Sequence, residues 1–124
     1  MNESRVWQAL KESLNDYWLL YRIESSITPG FPDVIAFHKM SQRTFYIELK
    51  SWKSSTILPT FGALSTVQRN WHSIARKYGM NNFVFAVDLN GHYYLGQPDG
   101  MNPVKWTRIR DITILADELL NWRN

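Results

Sequence analysis

Two acidic residues and a lysine share a short stretch of the sequence. Asp33 comes directly before an apolar run. Glu48 and Lys50 lie fifteen and seventeen positions after Asp33. Apolar and polar residues alternate over 45–50, which places Glu48 and Lys50 on the same face of a predicted strand. If the run after Asp33 is the neighbouring strand, the two carboxylates converge. Their repulsion would be relieved by a divalent cation that prefers oxygen ligands, such as Mg²⁺ or Mn²⁺.

Such a metal site has the parts needed to hydrolyse a phosphodiester. A bound cation holds the phosphate and lowers the pKa of a water molecule. The ammonium group of Lys50 would orient that water and screen the charge that develops on the phosphate. A plainer interpretation of the spacing is a solvated strand face, because acids near a lysine usually form salt bridges that stabilise little.

A third acid, Glu3, begins the first predicted helix, which runs to Tyr21. Its apolar residues share one stripe: Val6, Trp7, Leu10, Leu14, Tyr17, Trp18 and Tyr21. At about 100° per residue, Glu3 projects onto the middle of this stripe and Glu12 onto the opposite side. A carboxylate in line with a buried face needs a partner or a cation. The alternative is a solvated Glu3 in the first turn, where acids interact favourably with the helix dipole.

The remaining pattern predicts further strands and two more helices. Strands are expected at 21–25, 34–37, 45–50, 83–87 and 92–95, with 34–37 and 83–87 buried on both faces. A helix over 66–78 would turn Val67, Trp71, Ile74, Ala75 and Tyr78 inward and Arg69, Arg76 and Lys77 outward, with Gly79 at its end. A last helix from Ile112 to Trp122 would be capped by Asp111. Residues 51–64 are expected to form a surface loop.

This order of elements predicts one α/β domain over residues 1–124, with a mixed β-sheet flanked by helices. The absence of cysteine excludes disulfides and thiolate metal sites, and three scattered histidines offer little for structural zinc. The net charge of +3 is compatible with a polyanionic partner but does not require one. No apolar run is long enough to cross a membrane, so a cytoplasmic location is expected.

Two segments resemble a known enzyme family. Gly30-Phe31-Pro32-Asp33 followed by Ile47-Glu48-Leu49-Lys50 resembles the motif of the PD-(D/E)XK nuclease superfamily. The run GALSTVQ at 62–68, followed by Trp71-His72, resembles the VRR-Nuc and phage-type branch, which is related to Holliday junction resolvases. The resemblance covers Glu3 to about Val87 and implies a restriction-endonuclease-like core. The loop over 51–61 is longer than the usual link in this family.

The resemblance also implies site roles. Asp33, Glu48 and the backbone carbonyl of Leu49 would bind Mg²⁺ or Mn²⁺, and Lys50 would be the catalytic lysine. Glu3 matches the N-terminal acid of the family, which completes a second metal site or binds through water. Gln68 matches a glutamine that reaches the site from the second helix. It also fits a capping box with Ser65, and from the sequence both roles are compatible only if its side chain alternates.

The implied function is a metal-dependent endonuclease that hydrolyses DNA phosphodiester bonds. We expect selectivity for branched DNA such as Holliday junctions, a homodimer, and the host cytoplasm if the protein is phage-encoded. Lys53 and Arg22 are the predicted nucleic-acid contacts. The alternatives are a DNA nuclease of restriction, repair or genome degradation, and a catalytically silent nucleic-acid-binding domain. Trp52 and Phe61 could stack on bases, although packing against the domain is favoured.

Overall fold

The structure is a computed structural model that describes residues 3–23, 28–52 and 58–123. Its helices are α1 (Glu3–Ser13), α2 (Thr66–Lys77) and α3 (Leu115–Leu120), the last preceded by a 3₁₀ turn at Ile112–Ile114. Its strands are β1 (Trp18–Arg22), β2 (Val34–His38), β3 (Arg43–Ser51), β4 (Asn81–Val87), β5 (Tyr93–Gly96) and β6 (Trp106–Ile109). No helix within these ranges is long and apolar enough to cross a bilayer.

The six strands form one sheet in sequence order. Strands β3 and β4 are parallel, and the other neighbouring pairs are antiparallel. A parallel pair needs a connection that crosses one face of the sheet, and α2 lies in this connection. The predicted α/β fold, with a mixed sheet flanked by helices, is therefore confirmed.

The two faces of the sheet differ in character. One face carries the main apolar core, which α1 and α3 cover with fully buried residues such as Val6, Leu10 and Leu115. Each such side chain contributes about 1.5–3 kcal/mol through burial. On the other face, α2 buries His72 and Ala75, and Glu48 and Asn82 of the sheet are buried as well. Buried polar groups are therefore a feature of the α2 side.

The first helix is shorter than predicted. It ends at Ser13, and Trp18–Arg22 is a strand, so the predicted helix to Tyr21 is wrong and the strand predicted from residue 21 begins earlier. Residues 24 and 25 of that predicted strand lie outside the described residues. The Asn15 side chain accepts a hydrogen bond from the Tyr17 amide at 3.0 Å, which turns the chain into β1. Tyr17 and Tyr21, which the sequence placed on the apolar stripe of this helix, are therefore not buried: they are 55% and 56% exposed.

The inward face of α2 agrees only in part with the predicted one, since Ala75 is buried and Lys77 is exposed as predicted. Val67, Ile74 and Tyr78 are exposed, and His72 and Ala75 are the residues buried. Arg69 and Arg76, predicted to point outward, are half-buried. Arg69 donates to the carbonyl of Gly100, and Arg76 donates to that of Met80. The apolar residues of α2 do not all mark its buried face correctly, because the sheet beneath α2 presents polar side chains. The predicted glycine at the helix end is present, since Gly79 follows the last turn with a φ of +71°.

Several smaller differences follow from packing. Strand β2 is buried on the α1 face only, and Ile35 and Phe37 are half-buried. Within the predicted loop over 51–64, Ser51 completes β3 and Trp52 packs against Tyr94 and Trp106, and residues 53–57 lie outside the described part of the chain. Strand β6 was not predicted. The last helix ends at Leu120 rather than Trp122, with Asp111 capping the preceding 3₁₀ turn.

Candidate active site

The Gly30-Phe31-Pro32 segment fixes Asp33 at the start of β2. Gly30 has a φ of +82°, and a Cβ there would lie 2.5 Å from the Val67 carbonyl oxygen of α2. The Phe31 ring lies 5.5 Å from the ring of Trp71 on the same helix. Only glycine allows so close an approach with this backbone conformation. The segment is thus held against α2, and the Asp33 carboxylate accepts a hydrogen bond of 2.8 Å from the Leu49 amide.

Glu48 is a nearly buried carboxylate, 2% exposed. Its Oε1 accepts a hydrogen bond of 3.0 Å from the Gln68 side-chain amide. Its Oε2 has no hydrogen-bond partner among the described residues. Burial raises the pKa of Glu48 to about 9, with further contributions from the charges of Asp33 and Glu3, whereas the charge of Lys50 lowers it.

Gln68 connects Glu48 to Lys50 through one amide group. The Lys50 ammonium donates to Gln68 Oε1 at 3.0 Å, while Gln68 Nε2 donates to Glu48. The same Oε1 accepts from the Ser65 amide at 2.9 Å, and Ser65 Oγ accepts from the Gln68 amide at 3.2 Å. The capping box and the bridge are therefore formed together. The expectation that the side chain must alternate between the two roles is wrong, because a carbonyl oxygen can accept two hydrogen bonds.

The other predicted site residues are placed differently. Glu3 is exposed in the first turn of α1, contrary to its projection onto the buried stripe. Among the described residues, no three Asp, Glu, His or Cys side chains form a group that could hold a metal, so Glu3 does not join Asp33 and Glu48 in such a set. The charge of Glu3 nevertheless contributes to the raised pKa of Glu48.

The predicted nucleic-acid contacts do not join this group in the described structure. The Arg22 guanidinium lies 5.5 Å from the Trp7 ring of α1. Arg22 is paired with Val34, and Val34 with Ile47, whose side chains are buried on the α1 face. Arg22 therefore points to the face opposite Glu48 and Lys50. Lys53 lies outside the described residues, and the Leu49 carbonyl stays a predicted ligand.

No protein-family model and no curated protein matches the chain. Among solved structures, the chain is similar to Hjc, a Holliday junction resolvase from the archaeal hyperthermophile Archaeoglobus fulgidus. The TM-score is 0.48 and the identity 17%, over 91% of this chain and 95% of that chain. A likeness at this level assigns no activity, so the case for function comes from the side chains.

Sequence reasoning gave His72 no role, although the structure places it beside this group. His72 is fully buried, and it lies one helical turn after Gln68. Desolvation, and secondarily the charge of Lys50, lowers the pKa of His72 to about 4. The available signal was its position four residues after Gln68, which puts both side chains on one helix face.

Proposed function

We propose that this chain is a metal-dependent nuclease that hydrolyses phosphodiester bonds in DNA. The observation that carries the proposal is the joint placement of Asp33, Glu48, Lys50 and Gln68. One amide connects the buried carboxylate of Glu48 to the ammonium of Lys50. An ordinary surface salt bridge would be solvated and would need no such intermediary.

The residues present fit a divalent cation. Asp33 lies beside Glu48, and the Glu48 Oε2 atom is buried without a hydrogen-bond partner among the described residues. Leaving a buried carboxylate oxygen unpaired is costly, and a cation removes that cost. The donors are all oxygens, which favours Mg²⁺ or Mn²⁺ over softer metals. Asp33 and Glu48 would hold the ion with the Leu49 carbonyl, and Glu3 would act through water.

The residues around this position have separate roles in phosphodiester hydrolysis. When bound, the cation would supply charge for the phosphate and acidify a water molecule. Gln68 holds the Lys50 ammonium in one direction, so that Lys50 can orient the attacking water and stabilise negative charge on the phosphate. The Leu49 amide holds the Asp33 carboxylate and limits its rotation.

For the substrate, we propose branched DNA such as a four-way junction, cut by a homodimer with two sites. The motif resemblance supports this choice, and the net charge of +3 is compatible with it. The purified protein with Mg²⁺ or Mn²⁺ should be incubated with a four-way junction, a flap and a linear duplex of matched sequence. We expect metal-dependent cleavage that is fastest on the junction.

The same experiment separates the alternatives. Equal cleavage of all three substrates would contradict junction selectivity and favour a nuclease of restriction, repair or genome degradation. Tight binding without cleavage of any DNA or RNA would favour a silent binding domain. Sedimentation of the free protein tests the proposed homodimer, and a monomer at all concentrations would contradict it.

A further inference from the structure

We infer that His72 is a positioning residue, which holds α2 so that Gln68 reaches both Glu48 and Lys50. This inference rests on the proposed function only for its effect on cleavage. The contacts that carry it are made by residues to which the sequence assigned no role in the site. They form a buried polar chain between α2 and β4, one helical turn away from Gln68.

The chain of contacts runs from Arg76 through Asn82 to His72. Arg76 Nη1 donates to Asn82 Oδ1 at 3.2 Å, and Asn82 Nδ2 donates to the Pro98 carbonyl at 2.8 Å. These two contacts fix which end of the amide is the nitrogen. The same Nδ2 lies 2.9 Å from His72 Nδ1. His72 Nδ1 must therefore accept a hydrogen bond, and the ring proton is on Nε2.

The distance between Gln68 and His72 along α2 matches the distance between their partners on the sheet. Gln68 and His72 are four residues apart, which is about 6 Å along a helix. Beneath them, Val84 pairs with Glu48 and Asn82 pairs with Tyr46. Two residues along a strand span about 6.6 Å. Gln68 thus meets the sheet at the level of Glu48, and His72 meets it one step further down, at Asn82.

Two contacts at matched spacing fix the helix better than one. The first half of α2 is also held by Gly30 against Val67 and by Trp71 against Phe31 and Tyr46. The His72 contact adds a hydrogen bond at a defined level of β4, which limits sliding of α2 along the strand.

The polarity of His72 has no explanation in packing. The residue is 0% exposed, and its Nε2 atom has no hydrogen-bond partner among the described residues. A leucine would fill similar space without burying an unpaired N–H group, which is costly. The contact with Asn82 is what an apolar residue could not supply. The lowered pKa of His72 keeps the ring uncharged at neutral pH, so it adds no repulsion to Lys50.

The test compares two substitutions at this position. His72→Leu removes the acceptor, whereas His72→Asn places an amide oxygen near the position of Nδ1 and can still accept from Asn82. For His72→Leu, we expect kcat on the junction to fall about tenfold to a hundredfold. The Kd for uncut DNA without metal should stay within about twofold, since binding does not depend on the Gln68 bridge. His72→Asn should recover most of kcat.

A second readout does not need cleavage. The side-chain amide signals of Gln68 in NMR spectra should move in His72→Leu and return toward their wild-type positions in His72→Asn. Ile74→Ala, on the exposed face of the same helix, is the control and should leave kcat and these signals unchanged. If His72→Leu does not fold, His72→Met fills the space with a more adaptable side chain.

Three results would overturn the inference. The first is wild-type kcat and unmoved Gln68 signals in His72→Leu. The second is a His72→Asn variant as impaired as His72→Leu in both readouts. The third is unfolding of both His72→Leu and His72→Met, which would make His72 a residue of global stability. If the wild-type protein cuts no nucleic acid, the proposed function fails, and the Gln68 signals alone decide the role of His72.

Discussion

Glu48 is the buried carboxyl group of the candidate site, and its pKa is strongly raised. Its carboxylate is 2% exposed, lies beside Asp33 and has one oxygen without a hydrogen-bond partner in the described chain. In the absence of a cation, this arrangement destabilises the folded protein at neutral pH, because a carboxyl group that is ionised in the unfolded chain must take up a proton on folding. Sites that violate packing rules in this way are expected where function requires it.

Glu48→Gln should therefore raise the melting temperature in metal-free buffer at neutral pH. The substitution keeps the size of the side chain and needs no proton uptake on folding, and we expect an increase of roughly 3–6 °C. Differential scanning calorimetry measures the effect. Mg²⁺ should raise the melting temperature of the wild type by mass action and leave that of Glu48→Gln unchanged.

The control for this prediction is Glu12→Gln, which changes an exposed acid on α1. It should leave both the melting temperature and its response to Mg²⁺ as in the wild type. A Glu48→Gln variant that is less stable than the wild type, or that responds equally to Mg²⁺, would contradict the assignment of Glu48 as a metal ligand.

At the scale of elements, Gly30 shows how the fold places Asp33. A Cβ at this position would lie 2.5 Å from a backbone oxygen of α2, and backbone atoms cannot move aside as a flexible side chain can. Gly30→Ala should destabilise the protein by more than the roughly 1–2 kcal/mol that a left-handed conformation costs. It should also displace Asp33 and slow cleavage.

Gly91→Ala is the matched comparison for Gly30→Ala. Its φ is +81°, close to that of Gly30, but a Cβ there would meet nothing within 4 Å. Urea denaturation should show a smaller loss of unfolding free energy for Gly91→Ala, with cleavage preserved. Equal losses in the two variants would mean that the contact between Gly30 and α2 is not important.

The site motifs were predictable because they depend on local periodicity. Alternation over β3 correctly placed Glu48 and Lys50 on one face, and the turn before Asp33 and the pairing of β2 with β3 were readable from short segments. The S-x-x-Q pattern predicted the capping box at Ser65, which is confirmed. The sequence could not show that the box and the bridge coexist, since this depends on the distance between α2 and β3.

Other features depended on tertiary contacts. The apolar stripe of the first helix continued through Tyr17 to Tyr21, but pairing with β2 outcompeted the helix there. For α2, the apolar residues predicted the inward face only in part, because Gln68 and His72 bond to polar partners on the sheet while Val67, Ile74 and Tyr78 are exposed. Hydrophobic periodicity identifies the buried face of a helix only when the surface beneath it is apolar.

Across the whole molecule, the sheet separates an apolar side from a polar side. The core under α1 and α3 holds the fold together, whereas the α2 side buries Glu48, His72 and Asn82. Buried polar groups stabilise little unless fully paired. The α2 side should therefore be the part of the protein whose stability depends most on pH and on metal.

His72 gives this pH dependence a defined window. Its pKa is lowered from 6.5 to about 4 by burial and by Lys50. Between these values the unfolded chain binds a proton that the buried ring does not, so the unfolding free energy falls as the pH falls. The loss should approach about 3 kcal/mol below pH 4. Above pH 6.5, His72 contributes no slope.

Urea denaturation of the wild type and His72→Asn at a series of pH values measures this contribution. The difference in unfolding free energy should be constant above pH 6.5 and should shift in favour of the variant toward pH 4. The constant region is the internal control. A difference that does not change with pH would show that His72 is not held neutral by the fold.

The most direct measurement is single-turnover cleavage of a four-way junction, with Mg²⁺ or with EDTA, by the wild type, Asp33→Asn and Lys50→Ala. We expect cleavage by the wild type with Mg²⁺ only, and none by either variant. Calorimetric titration should show Mg²⁺ binding retained in Lys50→Ala and lost in Asp33→Asn. Cleavage by Lys50→Ala near the wild-type rate, or Mg²⁺ binding unchanged in Asp33→Asn, would contradict the assignment of Asp33, Glu48 and Lys50 as a metal-dependent nuclease site.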